Sequence, residues 1–169
     1  MAHRFHRSIL REYDVRGVVG QTLGPDDAHA IGRSFATLVR RAGGQAVVVG
    51  RDGRVSSPEL EEALVAGLNA SGVDAVRIGL GPTPMLYYAE ATLPDVQGGI
   101  QVTGSHNPAD HNGFKIVLGG LPVFGDDLQH LGSLAATGDW LAGQGRHEHR
   151  DVLGAYVDRL AAGLSGISH

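Results

Sequence analysis

The chain lacks the defining features of several protein classes. It contains no cysteine, which excludes disulfides, a thiolate nucleophile and a cysteine metal site, and leaves the redox compartment open. No apolar stretch approaches the roughly 20 residues that a membrane-spanning helix needs, and the N-terminal segment is polar where a secretory signal requires an apolar core. A net charge of -4 offers no electrostatic footprint for nucleic acid. We therefore expect a soluble cytoplasmic protein with no nucleic-acid or membrane partner.

Familiar short motifs and one residue type are also scarce. Neither Walker A nor G-x-G-x-x-G occurs, and there is no G-x-S-x-G nucleophile elbow. Lys115 is the single lysine among 14 basic side chains, so it is a candidate functional residue in a chain that otherwise uses arginine.

Glycine is abundant, with 26 residues against about 12 expected at a usage of roughly 7%. This excess indicates tight turns and close backbone approaches.

The order of helical and strand patterns predicts an α/β protein. At 169 residues, the length favours one domain. Helix patterns alternate with short β-branched runs, the helices at 25–42, 57–71, 83–93 and 126–137, the strands at 46–50, 73–79, 98–104 and 113–120. The fourth strand follows the third after a short connection and is therefore expected to be antiparallel to it. The pattern predicts a three-layer α/β/α domain over residues 1–150, with a mixed, largely parallel sheet.

Two boundaries and one loop complete this prediction. Ser57 is expected to be the N-cap of the second helix, with Pro58 at the first helical position. Residues 138–150 are rich in glycine and are expected to form a loop. The His-Glu-His at 147–149 has the spacing of a metal site on a strand, but no third ligand is nearby and its flanks are glycine-rich, so a solvated loop is favoured there. Residues 151–169 repeat a helical spacing without evident core partners. They are interpreted as a linker helix towards an absent second domain.

The stretch Thr-Gly-Ser-His-Asn-Pro at 103–108 follows a predicted buried strand, where ligands gather in such sheets. Ser105 has three possible roles, as a polar turn residue, a Ser-His nucleophile or a phosphoryl carrier. Adjacent side chains point apart, so His106 is poorly placed to deprotonate Ser105. A glycine- and asparagine-rich loop can direct backbone N–H groups at phosphate oxygens, and Lys115 in Asn-Gly-Phe-Lys offers a nearby cation for the phosphate charge.

Two further segments carry arginines next to glycine. Arg16, in Arg-Glu-Tyr-Asp-Val-Arg-Gly, could clamp a phosphate bidentately or form a salt bridge within a turn. The Gly-Arg-Asp-Gly-Arg at 50–54 follows a buried strand. The expected role of this second segment is a strand-end loop with a structural ion pair.

Five segments together resemble a known family. Tyr-Asp-Val-Arg-Gly, Gly-Arg-Asp-Gly-Arg, Pro-Thr-Pro-Met-Leu-Tyr-Tyr-Ala, Thr-Gly-Ser-His-Asn-Pro and Asn-Gly-Phe-Lys-Ile-Val occur here in the order and approximate spacing of the first domain of the α-D-phosphohexomutases. The resemblance runs from about Ile9 to the terminal helix and is strongest to the bacterial phosphomannomutase/phosphoglucomutase group. The serine loop followed by Asn-Gly-x-Lys is its most specific part.

The resemblance implies a phosphoryl-transfer mechanism. Ser105 would be phosphorylated and would donate its phosphoryl group to a hexose phosphate, with a hexose 1,6-bisphosphate as intermediate. Lys115 and His106 would be acid/base or phosphate-contacting residues of the site. Mg²⁺ would bind the phosphate on Ser105 and act as a Lewis acid.

The same resemblance implies supporting residues and missing parts. Tyr13 and Arg16 would line the site, and Asn107 would shape the serine loop. The family's Asp-Gly-Asp-Gly-Asp-Arg metal loop, its sugar-selecting loop and its second phosphate-binding loop do not occur in this chain. We therefore expect the first domain of a mutase for mannose or glucose phosphate, which is inactive alone and needs the remaining mutase domains as partners. The alternative is a stand-alone, non-catalytic phosphosugar-binding or docking module.

Overall fold

The structure, a computed structural model, describes residues 2–164. Its helices are α1 (Pro25–Arg41), α2 (Ser57–Ala70), α3 (Thr83–Thr92), α4 (Gly125–Thr137) and α5 (Leu153–Leu164). Its strands are β1 (Val15–Val18), β2 (Ala46–Arg51), β3 (Asp74–Leu80), β4 (Gly98–Val102), β5 (His111–Leu118), β6 (Leu121–Pro122) and β7 (His147–His149). The predicted alternation of helices and strands is confirmed.

The strands form one mixed sheet in the order β1-β5-β4-β2-β3-β7, with β6 paired to the side of β5. β4, β2, β3 and β7 are parallel neighbours, whereas β5 is antiparallel to β4, β1 and β6. The expected largely parallel sheet and the antiparallel fourth strand are both confirmed.

The helices cover both faces of the sheet. Alternate residues of β2 face opposite layers, as the strand period requires. Val47 and Val49 join the large core beneath α1, α2 and α4, and Val48 joins a smaller core with α3. Tyr156 of α5 packs against this second core. The three-layer α/β/α architecture predicted from the sequence is confirmed.

Two glycines allow α1 and α2 to pack closely. A Cβ atom added at Gly32 would lie 2.3 Å from the carbonyl oxygen of Leu64, and one added at Gly67 would lie 2.1 Å from that of His29. Real Cβ atoms do not approach other atoms so closely. The backbones of the two helices are therefore in direct contact, and this contact explains part of the glycine excess.

Two local predictions are wrong. Residues 147–149 are not a loop but the edge strand β7, which pairs with β3. It is held by backbone hydrogen bonds at its ends, from Ala75 N to Arg146 O (2.8 Å) and from Arg150 N to Arg77 O (2.9 Å). The N-cap of α2 is Ser56 rather than Ser57, since the helix begins at Ser57, and Ser56 makes no side-chain capping hydrogen bond. The Ser57 hydroxyl donates to Asp52 Oδ1 at 2.6 Å.

α5 makes few contacts with the rest of the domain. Its Tyr156 ring lies 5.7 Å from the Tyr88 ring of α3, and α5 has no buried residue. The prediction of a helix after residue 150 is confirmed over Leu153–Leu164, and residues 165–169 of the expected linker lie outside the described residues. Within residues 2–164, no helix is both long and apolar enough to cross a membrane.

Candidate active site

The candidate site lies where strands β2 and β4 end. These strands are parallel neighbours, and Arg51 pairs with Val102. The segment after β2 and the serine loop after β4 therefore leave the same edge of the sheet side by side. β1 begins at the same level, since Val15 pairs with Phe114, which pairs with Val102. The pairing brings three separate sequence motifs to one edge.

Ser105 has an unusual backbone conformation. Its φ angle is 54°, and it is the only non-glycine residue with a positive φ in the described part of the chain. The left-handed region costs a residue with a Cβ about 1–2 kcal/mol. Ser105 is exposed, and its backbone N–H donates to Thr103 Oγ1 at 2.9 Å. Strained residues cluster at functional sites, so this outlier singles out Ser105 within the loop.

The neighbours of Ser105 form a tight turn. The backbone N–H and the side-chain Nδ2 of Asn107 both donate to Gly104 O at 3.0 Å. These two bonds hold the geometry of the turn. His106 is exposed at the top of the turn, and within residues 2–164 no hydrogen bond joins it to Ser105. This geometry offers no support for a Ser-His nucleophile pair.

Asp52 accepts hydrogen bonds from the start of the serine loop. Its Oδ2 accepts from Thr103 Oγ1 (2.9 Å) and from the N–H of Gly104 (3.1 Å). Its Oδ1 accepts from Ser57 Oγ and from the N–H of Arg54. Burial alone would raise the pKa of Asp52, but these hydrogen bonds outweigh it and hold the pKa below its ordinary value. Asp52 therefore carries its negative charge throughout the neutral pH range.

A second cluster lies beside β1 and β5. Asp14 is buried, and its Oδ2 accepts a hydrogen bond from Arg16 Nη2 and lies 3.7 Å from Lys115 Nζ. The side chains of Arg16 and Lys115 are 19% and 28% exposed, and Arg16 Nε has no hydrogen-bond partner among the described residues. Two cations thus share one carboxylate, which leaves a net positive charge that suits an anion.

The predicted site residues fall into two groups. Ser105, His106 and Asn107 share the loop, while Arg16 and Lys115 are joined through Asp14. No hydrogen bond or ion pair in residues 2–164 connects the two groups. Tyr13 is next to Asp14 and 76% exposed. The side chains of Tyr13 and His106 both face solvent, so both are accessible to a ligand.

Sequence reasoning missed two acidic residues of this edge. Asp14 stands in the Tyr-Asp-Val-Arg-Gly motif, but its role depends on β1 pairing with β5, which brings it beside Lys115. The sequence assigns Asp52 only to a local ion pair. That pair exists, with Arg54 Nε 3.4 Å from Asp52 Oδ2, but Asp52 also holds the loop. Neither contact has a signal in the spacing of residues along the chain.

The family named "Phosphoglucomutase/phosphomannomutase, alpha/beta/alpha domain I" matches residues 7–141. The chain belongs to this family. The match contains β1, the segment after β2, the serine loop and Lys115, so every element of the candidate site lies within the family domain. The resemblance inferred from five short motifs is confirmed.

Several relatives are similar over most of this chain. A phosphomannomutase/phosphoglucomutase of Pseudomonas putida is 44% identical over 153 residues, and a phosphoglucomutase of Neisseria gonorrhoeae is 42% identical over 156 residues. These alignments cover 90% and 91% of this chain but 33% and 34% of the relatives. A solved phosphoglucomutase/phosphomannomutase family protein of Burkholderia thailandensis is 46% identical with a TM-score of 0.88, over 94% of this chain and 36% of that one. This domain therefore spans about a third of the length of the relatives it matches.

The described residues do not hold a metal site of their own. Within residues 2–164, no group of three or more His, Cys, Asp or Glu side chains is arranged to bind a metal ion. His147 and His149 on β7 are both exposed, and they too lack a third ligand in this part of the chain. A magnesium ion at Ser105 would depend on ligands from elsewhere.

The strain at Ser105 is measurable. We expect the Ser105→Gly variant of this chain to be more stable than Ser105→Ala by about 1 kcal/mol, because only alanine has a Cβ atom in the left-handed conformation. Chemical denaturation of the two variants measures the difference. Both variants lack the hydroxyl, so its loss cancels in the comparison. Equal stabilities would mean that the loop relaxes out of the left-handed region at no cost.

Proposed function

We propose that this chain is the phosphoserine-bearing first domain of a hexose-phosphate mutase, an isomerase that moves a phosphoryl group between C1 and C6 of mannose or glucose phosphate. The observation that carries the proposal is the exposed, left-handed Ser105 at the carboxyl edge of the sheet. The cationic pair of Arg16 and Lys115 at the same edge supports it. The names of the relatives are consistent with this chemistry.

The proposed step is a phosphoryl transfer at one oxygen atom. Ser105 Oγ attacks the phosphorus of one phosphate of a hexose 1,6-bisphosphate, and the bond between that phosphorus and the sugar oxygen breaks. The proton that the serine hydroxyl loses is taken up by the departing sugar oxygen. Lys115 or His106 holds this proton between the two oxygens. In the complete cycle, the phosphorylated Ser105 first gives its phosphoryl group to the free hydroxyl of a hexose monophosphate, which forms the bisphosphate. The other phosphate of that bisphosphate then returns to Ser105 by the step above, which leaves the isomeric hexose monophosphate.

The remaining residues neutralise the charge of the phosphate or shape the site around it. A phosphoserine carries a charge of roughly −1.5 to −2, and the guanidinium of Arg16, whose side chain is 19% exposed, supplies positive charge beside it. Tyr13 lines the opening of the site, and Asn107 maintains the turn that presents Ser105. Mg²⁺ would be held in part by the phosphate on Ser105 and would supply a Lewis acid there. Its other ligands would come from parts of a mutase outside this chain.

The isolated chain is proposed to be inactive as a mutase, because complete turnover also requires parts found in the longer relatives. Residues 151–169 are the proposed linker to the next domain, and α5 (Leu153–Leu164) lies within it. Its exposed Leu153, Val157, Leu160 and Leu164 recur at the spacing of one helix face. Such an apolar stripe needs a partner.

A turnover assay with glucose 1-phosphate tests the inactivity of the isolated chain. It is expected to give no rate approaching that of a complete enzyme.

Uptake of phosphate tests the proposal directly. The chain is incubated with a hexose 1,6-bisphosphate and Mg²⁺, and intact mass with peptide mapping is recorded. We expect one added phosphate, located on Ser105 and absent from Ser105→Ala. The matched control is Ser133→Ala, which removes a hydroxyl from α4, outside the site, and should leave the uptake unchanged. Phosphate on another residue, or none on the wild-type chain, would contradict the assignment.

A second candidate function is a stand-alone module that binds phosphosugars or docks on a partner without catalysis. The exposed apolar stripe of α5 favours its docking form. The same incubation separates the two candidates. A chain that binds the hexose bisphosphate but gains no phosphate on Ser105 would be a binding module.

A further inference from the structure

The guanidinium group of Arg54 lies under the serine loop. It donates to four backbone carbonyl oxygens, those of Ser105 (3.2 Å) and Asn107 (2.6 Å) from Nη2 and those of Pro108 (2.5 Å) and His111 (3.0 Å) from Nη1. Its Nε lies 3.4 Å from Asp52 Oδ2. The loop therefore turns around the arginine, with its carbonyl groups directed inward.

We propose that Arg54, oriented by Asp52, is the positioning residue that holds Ser105 in its left-handed conformation for phosphoryl transfer. The proposal rests on the proposed function of Ser105. Arg54 acts through the loop backbone and does not touch the substrate. The sequence pattern alone assigns it only to a local ion pair.

Counting donors separates Arg54 from the phosphate-binding arginine. An arginine side chain has five N–H donors. Nη1 and Nη2 of Arg54 carry four of these donors and bind four carbonyl oxygens, so neither terminal nitrogen has a donor left for a phosphate. The Arg16 side chain, by contrast, donates only to Asp14 among the described residues. The two arginines of this edge therefore have different tasks.

The contacts of the serine loop with residue 54 require an arginine rather than a lysine. Lysine has three donors on one nitrogen and cannot reproduce the planar fork that reaches carbonyls from both terminal nitrogens. A Cβ atom added at Gly104 would lie 2.2 Å from Arg54 Nε. Since the guanidinium is held by Asp52 and the carbonyl oxygens, it cannot move aside freely. Gly104 is thus the residue that lets the arginine approach the loop.

Asp52 and Arg54 bind complementary groups of the same loop. The Asp52 carboxylate accepts from the N–H of Gly104 and from Thr103 Oγ1, and Thr103 Oγ1 in turn accepts from the N–H of Ser105. Arg54 binds the carbonyl of Ser105. Both peptide groups that flank Ser105 are therefore held through this ion pair. The pair thus opposes relaxation of the φ of 54° at Ser105.

The test compares Arg54→Lys with the matched control Arg51→Lys. Arg51 is paired with Glu61, so its substitution removes the same fork without reaching the loop. We expect Arg54→Lys to lower the maximal rate of phosphate uptake at Ser105 by about 100-fold, with the half-saturating concentration of hexose 1,6-bisphosphate changed by less than about threefold. Arg51→Lys should match the wild type. A raised half-saturating concentration at an unchanged maximal rate would overturn the proposal, because it would make Arg54 a substrate contact.

Amide hydrogen exchange provides a readout that does not depend on phosphate uptake. In Arg54→Lys, the loop amides of residues 104–111 should exchange at least about tenfold faster, while α1 and β2 keep their protection. Unchanged loop exchange would overturn the inference. If the wild-type chain takes up no phosphate but the loop still loosens, the proposed function fails and the positioning role stands.

A second variant, located in the serine loop, tests the same contact in case Arg54→Lys does not fold. Gly104→Ala keeps the arginine and Asp52 but pushes Arg54 Nε away from the loop. We expect it to reproduce the faster loop exchange and the lower maximal rate. Wild-type exchange and uptake in Gly104→Ala would contradict the proposed contact.

Discussion

Replacing Lys115 by alanine is expected to slow phosphate uptake at Ser105 by about 100-fold or more, since positioned acid/base groups contribute roughly 10²–10⁴-fold. A second part of the expected loss comes from the charges around Asp14. Asp14 Oδ2 is shared between Arg16 and Lys115, so removing the ammonium leaves one cation against one carboxylate. The net positive charge of the cluster, which would attract a phosphate, is lost. Time-resolved intact mass with a hexose 1,6-bisphosphate measures the rate.

Two further variants sharpen this experiment. Arg159→Ala removes an exposed cation from α5 and should leave the rate unchanged, which controls for the change in net charge. Lys115→Arg keeps a positive charge but cannot release a proton at neutral pH. A slow Lys115→Arg therefore assigns proton transfer, and a fast one assigns charge alone. A wild-type rate in Lys115→Ala would remove Lys115 from the site.

Replacing Gly67 by alanine is expected to lower the free energy of unfolding by about 3 kcal/mol, at the upper end of typical overpacking costs. The new Cβ would lie 2.1 Å from the carbonyl oxygen of His29. This neighbour is helix backbone, so α1 and α2 must separate along their contact. The midpoint of thermal unfolding should fall by roughly 6–12 °C for a chain of this size.

A matched control uses the same substitution in a helix with free space. A Cβ atom added at Gly154 in α5 would have no described atom within 4 Å apart from its chain neighbours and its own helix backbone, so Gly154→Ala should stabilise by up to about 1 kcal/mol through helix propensity alone. Gly32→Ala should resemble Gly67→Ala, since it affects the same contact at 2.3 Å from Leu64 O. An unchanged or raised stability of Gly67→Ala would mean that the helices are not in backbone contact.

Periodicity and glycine punctuation predict most of the fold. The signal for β2 is a short unbroken run of β-branched residues, which suits a strand buried on both faces, and the strand is buried over Ala46–Gly50. The signal for α1 is a pair of acidic residues at its start and arginines in its last turn, which the structure has at Asp26, Asp27, Arg40 and Arg41. Both patterns involve only residues that are close together along the chain, so the sequence alone is sufficient to predict these two elements.

The strands that the sequence does not predict lack such signals. β1 has four residues and its arginine and glycine resemble a turn motif, so only pairing with β5 makes it a strand. β7 consists of three exposed polar residues, and its pairing with β3 comes from backbone hydrogen bonds that carry no sequence pattern. Ser57 satisfies the N-cap pattern, but it is the first residue of α2 and Ser56 is the N-cap. For both strands, a partner strand distant along the chain decides the outcome.

The sequence by itself determined the layer architecture, the family and the identities of the candidate residues, because periodicity and short motifs depend on neighbours along the chain. Only the tertiary structure decided how these residues act together. It brought Asp14 between Arg16 and Lys115, placed Asp52 and Arg54 beneath the serine loop and held Ser105 at a φ of 54°. The physical reason is that parallel strand pairing joins segments about 50 residues apart, as in the bond from Gly104 to Asp52, and hydrogen bonds of that range leave no spacing rule in the sequence.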